Sequence, residues 1–152
     1  MSTMVDMIDL LNTVDVEGDT AQAVAETHQD YERMNAAQML QGKGKDGKRI
    51  GTYRSMSYAR EKAKINTFLS SIIPHNVDLK LTGAFHKGLA MKVSGQDIAM
   101  TSTDNKADDL EKKYGENIYG LDEENASTYA HGFAFPAFMQ MIARKTGLVA
   151  AK

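Results

Sequence analysis

Helices on both sides of a central antiparallel β-hairpin or small sheet, an α+β class, is the fold this sequence predicts, and three observations lead to it. Val24, Tyr31, Met34, Ala37 and Leu40 recur near helical spacing in the first third, with His28 on the same side. LAMKVS at 89–94 and IAMTST at 98–103 alternate apolar and polar residues about the turn signal Gly95–Gln96–Asp97. The last third returns to helical patterning behind Asp122. The chain has 152 residues, enough for one domain. It divides into an N-terminal arm or short docking helix at 1–18, a single α+β domain at 19–148 and a tail at 149–152.

Residues 4–11 are apolar at 4, 5, 7, 8, 10 and 11, too dense for a clean amphipathic pattern, and suit a short helix docked on this domain or on a neighbour. Asp15–Glu17–Gly18–Asp19 reads as a break, with Asp19 or Thr20 capping one helix over 21–40. QGKGKDGKRIGTY, rich in glycine and bases, reads as an exposed, mobile loop or hairpin tip, and 50–53 as a short extended piece. Ser55 or Ser57 caps a helix through Tyr58, Ala59, Ala63 and Phe68, which SSIIPHN interrupts; Ile73 precedes a proline and is pushed toward extended geometry. Residues 78–81 alternate, and Thr82–Gly83 turns into the hairpin, whose single apolar face must lie on helices or another sheet.

Asp104 caps a helix over 106–114, ended by Gly115 with Lys112 and Lys113 in the last turn, as the helix dipole favours. Asp122 caps the closing helix, with Glu123 and Glu124 in its first turn, and Pro136 bends or splits it. Tyr129, Phe133, Phe135 and Phe138 read as core.

Composition narrows the chemistry. With no cysteine, disulfides, thiolate metal sites and cysteine nucleophiles are excluded. No apolar run approaches the roughly 18 residues that span a bilayer. The acidic start, lacking a basic n-region, is not that of a secretory signal, so synthesis in the cytoplasm and no membrane partner are expected. The four histidines His28, His75, His86 and His131 show no metal-ligand spacing. Asp108–Asp109 and Glu123–Glu124 are neighbours about 100° apart on a helix and form no ready dyad. The 104–109 run lacks the glycine and final glutamate of a calcium loop. GKGKDGKR lacks P-loop spacing. No residue set points to an enzyme, and no cofactor is expected.

Charge is more informative. The net −2 conceals segregation: residues 1–32 hold eight acids and no lysine or arginine. Residues 42–64 hold eight bases against Asp46 and Glu61, and 104–124 hold eight acids against three lysines. Opposed patches fit head-to-tail self-association, and equally fit separate solvated faces. In the glycine-rich loop, exposed backbone N–H groups with Lys43, Lys45, Lys48 and Arg49 suit contact with a DNA backbone; a loop ordered by a protein partner suits the same residues.

The order of motifs resembles a family. Gln41–Gly42, the Asp46–Gly47 turn, the Tyr58–Ala59 helix with Lys62, then DLKLTGAFHKGLAMKV, a second strand, and DLEKKYGENIYGL are similar to the tailed-phage virion-morphogenesis group of neck and tail-completion (head–tail connector, minor tail) proteins. The likeness spans roughly residues 22–145 and leaves the first twenty without a counterpart. It implies a virion protein that assembles as a sixfold or twelvefold ring between portal and tail. Its partners would be copies of itself, neighbouring portal, connector or tail proteins, and DNA passing through the channel. On that implication, subunit or partner contacts fall to Met4, Met7, Ile8, Leu10 and Leu11, to the acids Asp15, Glu17 and Asp19, and to the bases Lys43, Lys45, Lys48, Arg49, Arg54 and Arg60. LTGAF and the hairpin would form a rigid platform, the glycine permitting an approach that a side chain would obstruct.

Overall fold

A computed structural model describes residues 4–65 and 76–147. The mixed α+β class holds: helices at both ends flank a two-stranded antiparallel hairpin. The first helix, α1 (Met4–Asn12), stops where the Thr13 hydroxyl donates to the Leu10 carbonyl at 2.6 Å.

The next segment corrects the expected break. Asp15, not Asp19 or Thr20, caps α2 (Val16–Glu26), accepting from the Gly18 N–H at 3.1 Å. A Cβ at Gly18 would overlap that capping carboxylate. The expected boundary between residues 18 and 19 therefore lies inside a helix. A second correction falls at Thr27, where the expected single helix over 21–40 divides, and α3 runs His28–Leu40. The Thr27 hydroxyl donates back to the Ala23 carbonyl at 2.9 Å, and its oxygen lies 2.7 Å from the Tyr129 hydroxyl. Tyr129 in turn donates to the Val24 carbonyl at 3.3 Å, so the helical ladder is shared with a distant side chain.

Ser55 caps α4 (Met56–Ile65), its hydroxyl accepting from the Tyr58 N–H at 3.3 Å. The readings placed on Phe68, Ile73 and His75 lie outside the described residues, as does the tail at 149–152. Residues 76–81 form no strand. Asn76 makes one bridge to Thr52, and the Val77 N–H donates to the Gly51 carbonyl at 3.0 Å. A single helical turn, Ala84–Lys87, comes after Gly83.

The hairpin forms as its alternation predicts. Strands β1 (Leu89–Ser94) and β2 (Asp97–Ser102) pair in register, Met91 opposite Met100 and Val93 opposite Ile98, around Gly95–Gln96. Leu89 and Met91 are buried, whereas Ile98 near the tip is exposed. Strand β1 lies on α3 and α2, and the Met91 N–H donates to Glu32 Oε1 at 2.8 Å. Among the described residues three more α-helices follow: α5 (Ala107–Tyr114), α6 (Glu123–Tyr129), capped by Asp122, and α7 (Phe135–Thr146). A π turn, Ala130–Ala134, joins α6 to α7 where Pro136 was expected to split the helix. Helix α7 packs on α2.

Met39, Val77, Leu79, Phe85, Leu89, Ala107 and Ile118 form the apolar core. Tyr129 joins the interior and stacks on Phe133, but Phe135 is exposed, contrary to its expected place in the core. No helix among the described residues is long and apolar enough to cross a membrane.

Candidate functional site

The basic loop is anchored rather than mobile. The Gly44 N–H donates to the Lys48 carbonyl at 2.8 Å, that of Lys45 to the Asn117 carbonyl at 2.7 Å, and that of Asp46 to Asn117 Oδ1 at 3.0 Å. Gly47 donates to the Gly44 carbonyl and Lys48 to Asp46 Oδ1. These N–H groups are spent inside the protein, so the expected phosphate-binding backbone is absent from Gly44 to Lys48. The glycines serve packing instead: a Cβ at Gly44 would overlap the Asn117 side chain, and one at Gly42, where φ is +74°, would sit 3.1 Å from the Asn76 Cβ. The Asn117 and Lys48 hydrogen bonds hold the Asp46 carboxyl below its ordinary range. Lys45, Lys48 and Arg49 are exposed, and Lys43 is half-buried beside its bridge to Arg49.

Below the loop, two amides of α3 tie the chain together. Gln38 Nε2 donates to the carbonyls of Gly44 and Gly120 at 3.0 and 3.1 Å. Its Oε1 accepts from the Asp122 N–H and from Asn125 Nδ2 at 2.8 and 2.9 Å. Asn35 exchanges hydrogen bonds with the Gly120 backbone in both directions.

The other predicted contact residues disperse. Ile8 and Leu11 on α1 are 51% and 64% exposed, while Leu10 is half-buried. The side chains of Met4 and Met7 lie outside the described residues. Asp15 is a helix cap and Glu17 is exposed. Asp19 is buried and paired with Lys145, so its expected role as a surface contact is corrected. Arg54 and Arg60 are exposed. Gly83 has φ +85° with open space around it; its freedom lies in the backbone angle and not in the close approach expected for LTGAF.

A cluster that the sequence did not single out lies under a cavity of about 930 Å³. Lys62 Nζ lies 3.3 Å from Asp78 Oδ1, and both residues are buried. Its expected count among the surface bases fails because an ion pair takes it inside. The Tyr53 hydroxyl donates to the same oxygen at 3.2 Å and the Lys80 N–H does so at 2.9 Å. That turn places Leu79 at φ +55°, a left-handed angle unusual for a γ-branched residue. Burial, then the Asp78 charge, pushes the Tyr53 phenol up, so it remains a donor at neutral pH. His86 sits in the same field with both ring nitrogens buried and unpartnered. Its burial outweighs Asp78 and lowers its pKa. The one legible sign was Asp78 two residues before a backbone donor, an Asx-turn arrangement.

His28 Nδ1 pairs with Glu32 at 3.0 Å, and His131 Nδ1 lies 2.8 Å from the Ser127 carbonyl. Among the described residues no group of three or more histidine and carboxylate side chains is placed to hold a metal. No family model, curated protein or solved structure matches the chain.

Proposed function

We propose that this chain is a structural virion protein of a tailed phage, a subunit of the neck or tail-completion ring that joins portal to tail around the DNA exit channel. The role is assembly rather than turnover. The observation that carries it is the uncovered apolar side of α1, Ile8 and Leu11, on a segment whose charged residues are all acidic. Elsewhere the anchored loop presents Lys45, Lys48 and Arg49. A repeating, closing interface requires two unlike, complementary surfaces, and opposite sign is one way to make them complementary. Surface ion pairs contribute about 0–1 kcal/mol each, so they set register while apolar contacts supply adhesion.

Light scattering on the purified chain is expected to report a homo-oligomer. A monomer at high concentration that also fails to bind portal or tail proteins overturns the reading. In a phage carrying the coding sequence, a null allele should leave DNA-filled heads and tails unjoined; normal joined particles would be the contrary result. The second reading, non-specific contact with DNA backbone, now rests on side chains alone. It requires salt-sensitive retention of duplex DNA, reduced when Lys45, Lys48 and Arg49 become alanine.

A further inference from the structure

A ring of identical copies, the reading on which this inference rests, needs two complementary surfaces on every copy. The cavity above the Lys62–Asp78 pair supplies one. It is bounded by residues of the 52–58 segment, α4, the 77–85 segment and α5. Its walls carry Arg54, Lys62, Lys106 and Lys113 against a single carboxylate, Asp104. Asp78 neutralises Lys62, which leaves Arg54, Lys106 and Lys113 as exposed cations around the opening. Leu79 and Leu110 line the interior, and Leu81 and Tyr58 stand at the surface 48% and 46% exposed. A basic rim over an apolar interior selects an acidic segment with apolar side chains to insert.

The N-terminal segment has that chemistry. Ile8 and Leu11, three residues apart on α1, share one side of the helix, and Val16 at the start of α2 is 62% exposed. Asp9 lies about 100° around the helix from Ile8, and Glu17 is placed likewise beside Val16, so carboxylates border the apolar stripe. No lysine or arginine occurs before Arg33. We infer that the α1–α2 corner of one copy seats Ile8 and Leu11 in the cavity of the next copy, with Asp9 and Glu17 toward Arg54, Lys106 and Lys113. The space suits a few side chains rather than a whole helix of about 10–12 Å diameter, so α1 lies across the opening. Corner and cavity are different surfaces, which makes the contact heterologous and able to propagate around a ring.

The chain contains no cysteine, which permits a clean cross-linking test. Leu11→Cys and Leu81→Cys chains are prepared separately, mixed and oxidised, while light scattering monitors assembly independently. Cross-linked pairs forming in the mixture, and in neither variant alone, support the inference. Leu11→Cys chains that cross-link to each other show α1 pairing with itself and overturn it. Assembly without a mixed cross-link also overturns it and leaves the ring reading standing; failure to assemble at any concentration overturns it too, and removes the ring reading as well when portal and tail proteins also go unbound.

Charge reversal gives a second readout. Lys106→Glu with Lys113→Glu should raise the dissociation constant of assembly about tenfold, and a chain that also carries Asp9→Lys and Glu17→Lys should recover it. Reversals that leave assembly unchanged but abolish retention of duplex DNA assign the cavity to nucleic acid and overturn the inference.

Discussion

Gln38 and Asn35 on α3, and Lys62 and Asp78 between α4 and the 77–81 segment, are all buried polar groups, and the two pairs meet the cost of burial differently. The amides are neutral and are satisfied by the backbones of Gly44, Gly120 and Asp122. They fasten the loop and α6 to α3 and leave no strain that the backbone records. The ionic pair stands beside a left-handed Leu79 and a histidine with no hydrogen-bond partner, and it opens on a cavity. Departures from local rules tend to gather where a protein does something other than fold. That contrast is what marks the cavity side as the proposed contact surface and the amide side as scaffold.

Five variants test that separation. Lys62→Ala should have the largest effect, about 3–5 kcal/mol lost in urea unfolding, because Asp78 is left charged and buried without its cation. A double replacement, Lys62→Met with Asp78→Leu, should cost much less; an equal loss would mean that the pair acts through shape and not charge. Gln38→Leu should cost about 2–3 kcal/mol by stranding the Asp122 N–H and two carbonyls. A loss exceeding that of Lys62→Ala would reverse the ranking of the two clusters.

Gly83→Ala should cost about 1–2 kcal/mol, the penalty of a left-handed angle alone, since the site has open space. The smallest effect concerns pH. His86 has a folded pKa below its ordinary 6.5, so the unfolded chain takes up the proton first. Its contribution is complete above about pH 6.5 and declines as pH falls below it. The thermal midpoint of His86→Gln should decline less over that interval, and identical profiles would place the titration elsewhere.

Much of the fold was legible where one signal acted locally. The hairpin comes from alternation about Gly95, the caps at Ser55 and Asp122 from a side-chain oxygen ahead of a helical run, and the end of α5 from Gly115. What was illegible depended on partners far along the chain. Thr27 divides two helices because Tyr129, 102 residues away, meets its hydroxyl. Asn35 and Gln38 look like solvent-side residues until the 117–122 segment arrives to be bonded. Lys62 reads as one of a basic run, and only Asp78 brings it inside. Of the residues expected at contacts, Ile8 and Leu11 are exposed as their positions suggest, whereas Asp19 needs Lys145 to reveal that it is buried and paired.

Within the π turn Ala130–Ala134 the Phe135 N–H reaches back five residues to the Ala130 carbonyl, one residue of slack in a nearly continuous rod. Deleting Gly132, whose surroundings are empty, would convert the wide turn to ordinary α-helix, because the five residues in it turn and rise about as far as four α-helical ones. Lys145 should then keep its place on Asp19, and the shortened rod should still close the seam between α7 and α2.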